Sequence, residues 1–123
     1  MSVSFKTCHG LTSRIGGMNV GIGLPAAVPE ADMRLIGDWA AESERAGFDA
    51  VGVIDRLVYD NLDPLTALSA AAACTTRLEL ISTVVNVNWR NNPVLLAKQL
   101  SSVVRLSGGP VVRKELESTI ERL

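Results

Sequence analysis

One histidine, two cysteines and five aromatic residues (two Trp, one Tyr, two Phe) in 123 residues leave little material for imidazole, metal or stacking chemistry. His9 stands in a polar leader with no nucleophile or ligand partner near it, so a catalytic imidazole is not expected. Cys8 and Cys74 lack metal-ligand spacing, and Cys74 falls in an alanine-rich helical stretch. Burial as a small apolar residue is expected there, not a disulfide or zinc site. Neither sign of charge dominates: 12 Lys and Arg face 13 Asp and Glu without a basic stripe, which argues against a nucleic-acid partner. Residues 1–17 hold no apolar run long enough for a signal sequence or a membrane span, so a cytoplasmic location is expected. They read as a disordered leader. Met18 directly precedes the first apolar run and competes with Met1 as the start of translation.

What is present is an apolar fraction of 47%, enough for one modest domain with a real core. Three β-branched runs, 19–24, 49–54 and 78–87, read as strands. Their nearly continuous apolarity is that of strands covered on both faces, as in parallel sheets. Helical patterns fill the gaps. The first is expected to begin near Pro29 with Glu30 and Asp32 at its positive end. Its core stripe is Met33, Ile36, Ala40 and Ser43, widened by Leu35 and Trp39, and Gly47 stops it. Asp63-Pro64 and Asn92-Pro93 each pair an N-cap with a first-turn proline. The second helix runs through Leu65 and Leu68 toward Thr75. The third carries Val94, Leu95, Ala97, Leu100 and Val104 before Ser107-Gly108-Gly109. Strand starts about thirty residues apart match one strand–helix unit. A curled barrel sheet and a doubly wound sheet both fit this pattern.

Specific strings separate the two. Asn19 to Pro25, Trp39 to Asp49, Ile54-Asp55-Arg56 and Asp63-Pro64-Leu65 closely resemble the opening of the bacterial-luciferase-like flavin- and deazaflavin-dependent oxidoreductases. Thr76 to Leu80, Arg90-Asn91, Pro93 to Gln99 and Leu106 to Gly109 resemble the following segments, in family order. The resemblance covers residues 18–109 and implies a (β/α)8 barrel of the α/β class. Such a barrel needs about 250 residues and eight strands, whereas the pattern here supplies three strands. The chain is therefore expected to be a truncated N-terminal portion, three parallel βα units plus a C-terminal helix. After Gly109 it departs from the family, where an arginine and a glycine-rich fourth strand would follow. The tail 110–123 reads as a helix with Val112, Leu116, Ile120 and Leu123 on one face.

Barrel enzymes place chemistry at the C-terminal strand ends, which here are Leu24-Pro25, Asp55-Arg56 and Ser82 to Asn88. The resemblance implies a bulge at the third strand end, often with a non-proline cis peptide, against which the flavin or deazaflavin ring packs. By position that is Ser82, Thr83, Val84 and Val85, in a backing role; plain buried strand is the competing reading. Asp55 and Arg56 are candidates for ring or substrate contact, against loop salt bridges and capping. Gly21 and Gly23 are a poor dinucleotide fingerprint, since the third glycine is missing and a proline follows. The same loop speaks against a flavodoxin-type domain.

The resemblance implies FMN or an 8-hydroxy-5-deazaflavin coenzyme, hydride transfer to or from a small organic substrate, and monooxygenase chemistry where oxygen takes part. Its phosphate-holding segments come from later in the barrel, so weak or no cofactor binding and no independent activity are expected of this chain. The alternative is a non-catalytic half-barrel remnant that self-associates through open sheet edges.

Overall fold

The structure, a computed structural model, describes residues 18–108. The expected disordered leader over 1–17, with His9 and Cys8, and the expected tail helix over 110–123 lie outside the described residues. Within them the order is β1 (Gly21–Gly23), α1 (Ile36–Arg45), β2 (Ala50–Ile54), α2 (Pro64–Cys74), β3 (Glu79–Val84) and α3 (Pro93–Ser107). The three strands form one parallel sheet in the order β1-β2-β3. That sequential order is the advance of a βα barrel. A doubly wound sheet would reverse direction at a switch point. The fold is a partial (β/α) barrel of the α/β class.

The helices form a single layer in which α2 packs between α1 and α3. Being apolar nearly all round, α2 can be covered on both flanks: Leu65, Ala67, Leu68, Ala71 and Ala72 are all buried. Ala67, Leu68, Ala71 and Ala72 join Ile36 and Ala40 of α1, Val103 of α3, Leu78 just before β3, and Val51, Val53 and Leu80 of the sheet in one core. Complete burial of a side chain such as Leu80 or Ile36 contributes about 1.5–3 kcal/mol, so this layer dominates the favourable side of folding. Ser43 and Thr75 are buried in it without loss. Their hydroxyls donate to the carbonyls of Trp39 (2.7 Å) and Ala71 (2.8 Å), four residues back.

Several local expectations hold. Gly47 takes φ 92°. Around it the Phe48 N–H reaches the Ser43 carbonyl and the Gly47 N–H the Glu44 carbonyl, a Schellman closure of α1. Asp63 caps α2 by accepting from the N–H groups of Leu65 and Thr66, and Asn92 caps α3 by accepting from Leu95.

Others are corrected. The first helix does not begin near Pro29: Glu30 takes φ 61°, which ends any helix there, and Asp32 instead caps a 3₁₀ turn over Met33–Leu35 that leads into α1. Ile36, Ala40 and Ser43 are buried as expected, but Leu35 and Trp39 are exposed. On α3 the buried residues are Leu96, Val103 and Ser107, while Val94, Leu95 and Val104 face outward. Cys74 is exposed, not buried. It ends α2 beside Gly37 of α1, where an added Cβ would stand 2.7 Å from its Sγ. The third strand stops at Val84, and Val87–Trp89 form a 3₁₀ turn.

Candidate functional site

With all three helices on one side, the other face of the sheet is open among the described residues. Its floor is made of very small residues: Gly21 and Ala50 are paired, as are Gly23 and Gly52. They floor a concavity of about 370 Å³, also lined by Ile54, Ile81 and Thr83. A Cβ built on Gly23 meets nothing within 4 Å, and one on Gly52 reaches only the Ile81 carbonyl (3.7 Å) and Thr83 Cγ2 (3.8 Å). Strands of a closed barrel usually fill the interior with bulky branched side chains. Here the strands bring little side-chain bulk to that face.

At the C-terminal end of this face the register slips. Val53 pairs with Ser82 but Ile54 with Val84, so Thr83 is the extra residue of a β-bulge. The Thr83 hydroxyl donates to the Val53 carbonyl (2.9 Å) and the Ser82 hydroxyl to the Val84 carbonyl (3.0 Å), which satisfies backbone groups the bulge removes from the ladder. The methyl of Thr83 is left over Gly52, and Val84 is 44% exposed beside Ile54 at 38%. The expected bulge is therefore present, whereas no cis peptide bond occurs among the described residues. Neutral hydroxyls, already used as donors, and valine side chains make a shaped apolar wall. They offer no proton to move.

The strand-end pair Asp55-Arg56 divides. Asp55 is buried; its Oδ2 accepts the Asn86 N–H (2.9 Å) and lies 3.6 Å from Arg90 Nη2, while its carbonyl accepts from Asn86 Nδ2 (3.1 Å). Arg90 Nη2 also reaches Asp63 Oδ2 at 2.6 Å. One carboxylate thus ties the end of β2 to the turn after β3, and a second joins that turn to the N-terminus of α2. Arg56 instead extends outward over the Tyr59 ring, 5.0 Å from its centroid. Leu24 is buried, and the Ala26 carbonyl accepts from Leu62, fastening the β1–α1 loop to the β2–α2 loop.

The pairing of Asn86 and Arg90 with Asp55 and Asp63 is not legible by residue type, because these partners lie 27 to 35 positions apart, beyond any local motif. The signal that remained was Arg90 itself, a charge set between an apolar turn and a helix cap. The opposite end of the sheet carries a second such brace. Glu44 of α1 accepts backbone N–H groups from Arg77 (2.7 Å), Leu78 (2.9 Å) and Thr76 (3.1 Å). Partial burial works against the charged form of Glu44, but those N–H bonds outweigh it and hold the carboxyl below its ordinary range. Asp49 Oδ2 accepts the Val20 N–H, and Arg77 Nη2 donates to the carbonyls of Glu44 and Phe48. This N-terminal end has the character of a structural base.

Among the described residues no group of His, Cys, Asp and Glu is arranged to hold a metal, and no helix is long and apolar enough to cross a membrane. At the C-terminal end the braced loops thus border a glycine-floored concavity lined there by Ile54, Ile81 and Thr83. The family model described as luciferase-like monooxygenase matches residues 12–112, most of the 123, and the chain belongs to that family.

Proposed function

We propose that this chain supplies the ring-backing wall of a flavin- or deazaflavin-dependent oxidoreductase, formed by Ser82, Thr83, Val84 and Val85 over Gly23 and Gly52. The observation that carries this reading is the bulge at Thr83, which sets the Thr83 methyl over Gly52 on an open, glycine-floored face and pairs Val84 with Ile54 at its end. A flavin-class ring supplies hydride chemistry when bound; the protein's part is to press one ring face against a rigid surface and leave the other to substrate. The residues fit the ring. They form no cradle for its phosphate: Arg90 is paired with Asp55 and Asp63, and the concavity itself is lined by no cation.

The described residues carry three of the eight strands of such a barrel, so we infer that tight cofactor binding and turnover require strands beyond these. The test is a flavin-fluorescence titration of the chain with riboflavin and with FMN. The two should bind weakly and with equal affinity, because the phosphate finds no partner. Each charge-assisted hydrogen bond to a phosphate is worth about 1.5–3 kcal/mol, so FMN binding tenfold or more tighter than riboflavin would overturn the assignment of the grip to other strands.

A second reading, a non-catalytic half-barrel that associates with itself, is favoured by one observation: β1 and β3 each leave an outer edge unpaired among the described residues, beside an open apolar face. Light scattering across a concentration series separates the two readings. A monomer at all concentrations removes the second.

A further inference from the structure

We infer that Asp55 is a positioning residue for the ring wall, acting through the backbone of β3: it sets the bulge by clamping Asn86 to the end of β2. The clamp is reciprocal. Asp55 Oδ2 accepts the Asn86 N–H (2.9 Å) and the Asp55 carbonyl accepts from Asn86 Nδ2 (3.1 Å), so each residue commits one backbone and one side-chain group to the other. The Asp55 side chain is only 7% exposed, and Arg90 Nη2 lies 3.6 Å from the same Oδ2. A hydrogen bond to a charged acceptor is roughly twice as strong as one between neutral groups.

Chain length shows what the clamp does. Val53 is the last residue of β2 in regular step with β3, opposite Ser82. From that pair to the clamp β2 advances two residues, to Asp55, while β3 advances four, to Asn86. At about 3.3 Å per residue, β3 has about 13 Å of chain to cover what β2 covers in about 7 Å. Two residues are in surplus. One is Thr83, the bulge residue; the other is Val85, beyond the last ladder pair of Ile54 with Val84. The hydroxyls of Ser82 and Thr83 satisfy carbonyls along this bowed segment, but they start from inside it, whereas Asp55 fixes its far end from outside. Without that fixed end the regular ladder is free to resume, with Thr83 opposite Ile54. A one-residue slip turns the side chains that follow to the other face of the sheet, and the wall is lost. The inference rests on the ring-wall reading for its functional consequence, but the register is read without a flavin.

In Asp55→Ala, the nuclear Overhauser contacts that join Ile54 to Val84 should give way to contacts joining Ile54 to Thr83, and riboflavin affinity should fall about tenfold by fluorescence titration. Asp55→Asn keeps an oxygen that accepts the Asn86 N–H. It should keep the wild-type register and bind riboflavin within about threefold of wild type. Asn86→Pro removes the donor while leaving Asp55 its Arg90 partner, and the φ of −79° at Asn86 suits proline, so this variant should fold and show the same change as Asp55→Ala. Glu44→Ala loosens the opposite end of the sheet and should leave both the Ile54–Val84 contacts and riboflavin affinity unchanged. Contacts between Ile54 and Val84 that persist in Asn86→Pro or in folded Asp55→Ala would overturn the inference. So would an equal loss of riboflavin binding in Glu44→Ala, the sign of a general effect of stability. A register that shifts while riboflavin affinity stays constant removes the ring wall and leaves Asp55 as the residue that sets the bulge.

Discussion

Replacing Glu44 by Ala should remove the brace that holds the N-terminal end of this fold together. The carboxylate accepts three successive backbone N–H groups, of Thr76, Arg77 and Leu78, and so joins the last turn of α1 to the first residues leading into β3. A hydrogen bond to a charged acceptor is worth about 1.5–3 kcal/mol. Thr76 and Arg77 are exposed and regain water when the carboxylate is removed, whereas the Leu78 N–H is partly buried and does so poorly. The expected loss is therefore about 2–3 kcal/mol, well short of three full bonds. Glu44→Gln keeps an acceptor oxygen without the charge and should lose about half as much. Urea unfolding followed by far-ultraviolet circular dichroism reads this as a lower midpoint with an unchanged slope. The pH dependence supplies an independent check. Because the folded-state pKa lies below the unfolded value, the stabilisation is fully present above the unfolded value of about 4.3 and is lost as pH falls through the folded one. The difference between the wild-type and Ala proteins should thus be constant near neutrality and shrink in acid. A loss below about 0.5 kcal/mol, the ordinary surface range, or a difference that grows as pH falls, would refute the reasoning.

Asp55→Ala leaves Arg90 with Asp63 alone and strips the Asn86 N–H of its partner; a loss of about 3 kcal/mol is expected by urea unfolding, since one partner of a buried pair is removed. Gly37→Ala should be neutral or destabilising because its Cβ would meet Cys74 Sγ at 2.7 Å. Combined with Cys74→Ala the same change should become stabilising by about 0.5–1 kcal/mol through helix propensity, a sign reversal that a double-mutant cycle detects. Gly108→Ala should cost about 1 kcal/mol through the left-handed φ of 62° alone, since nothing lies near the added carbon; thermal unfolding measures it.

How much of this was readable beforehand follows the range of the interactions concerned. The caps at Asp63 and Asn92 and the glycine stop at Gly47 depend on neighbours within a few residues, and they stand where composition put them. Periodicity locates the apolar face of α1 at Ile36, Ala40 and Ser43 but does not set how wide a face the packing covers, so Leu35 and Trp39, expected inside, are exposed. The start of α1 was missed because Pro29 favours a first turn while the backbone of Glu30, one residue on, forbids it. On the candidate site, position in the barrel and family resemblance led to Ser82 to Val85 and to Asp55-Arg56. The brace that holds this end rigid, Asp55 with Asn86 and Arg90, depends on contacts about thirty residues apart. No local pattern encodes it.

The central claim, that the open sheet face ending at the Thr83 bulge is a wall for a flavin-class ring, is tested most directly by mapping backbone amide chemical shifts as riboflavin is added. The account predicts saturable shifts confined to Gly23, Gly52, Ile54 and Ser82 to Val85, with the helix layer of α1, α2 and α3 silent. Shifts on the helix layer, or none at a riboflavin concentration that saturates the fluorescence change, would contradict it.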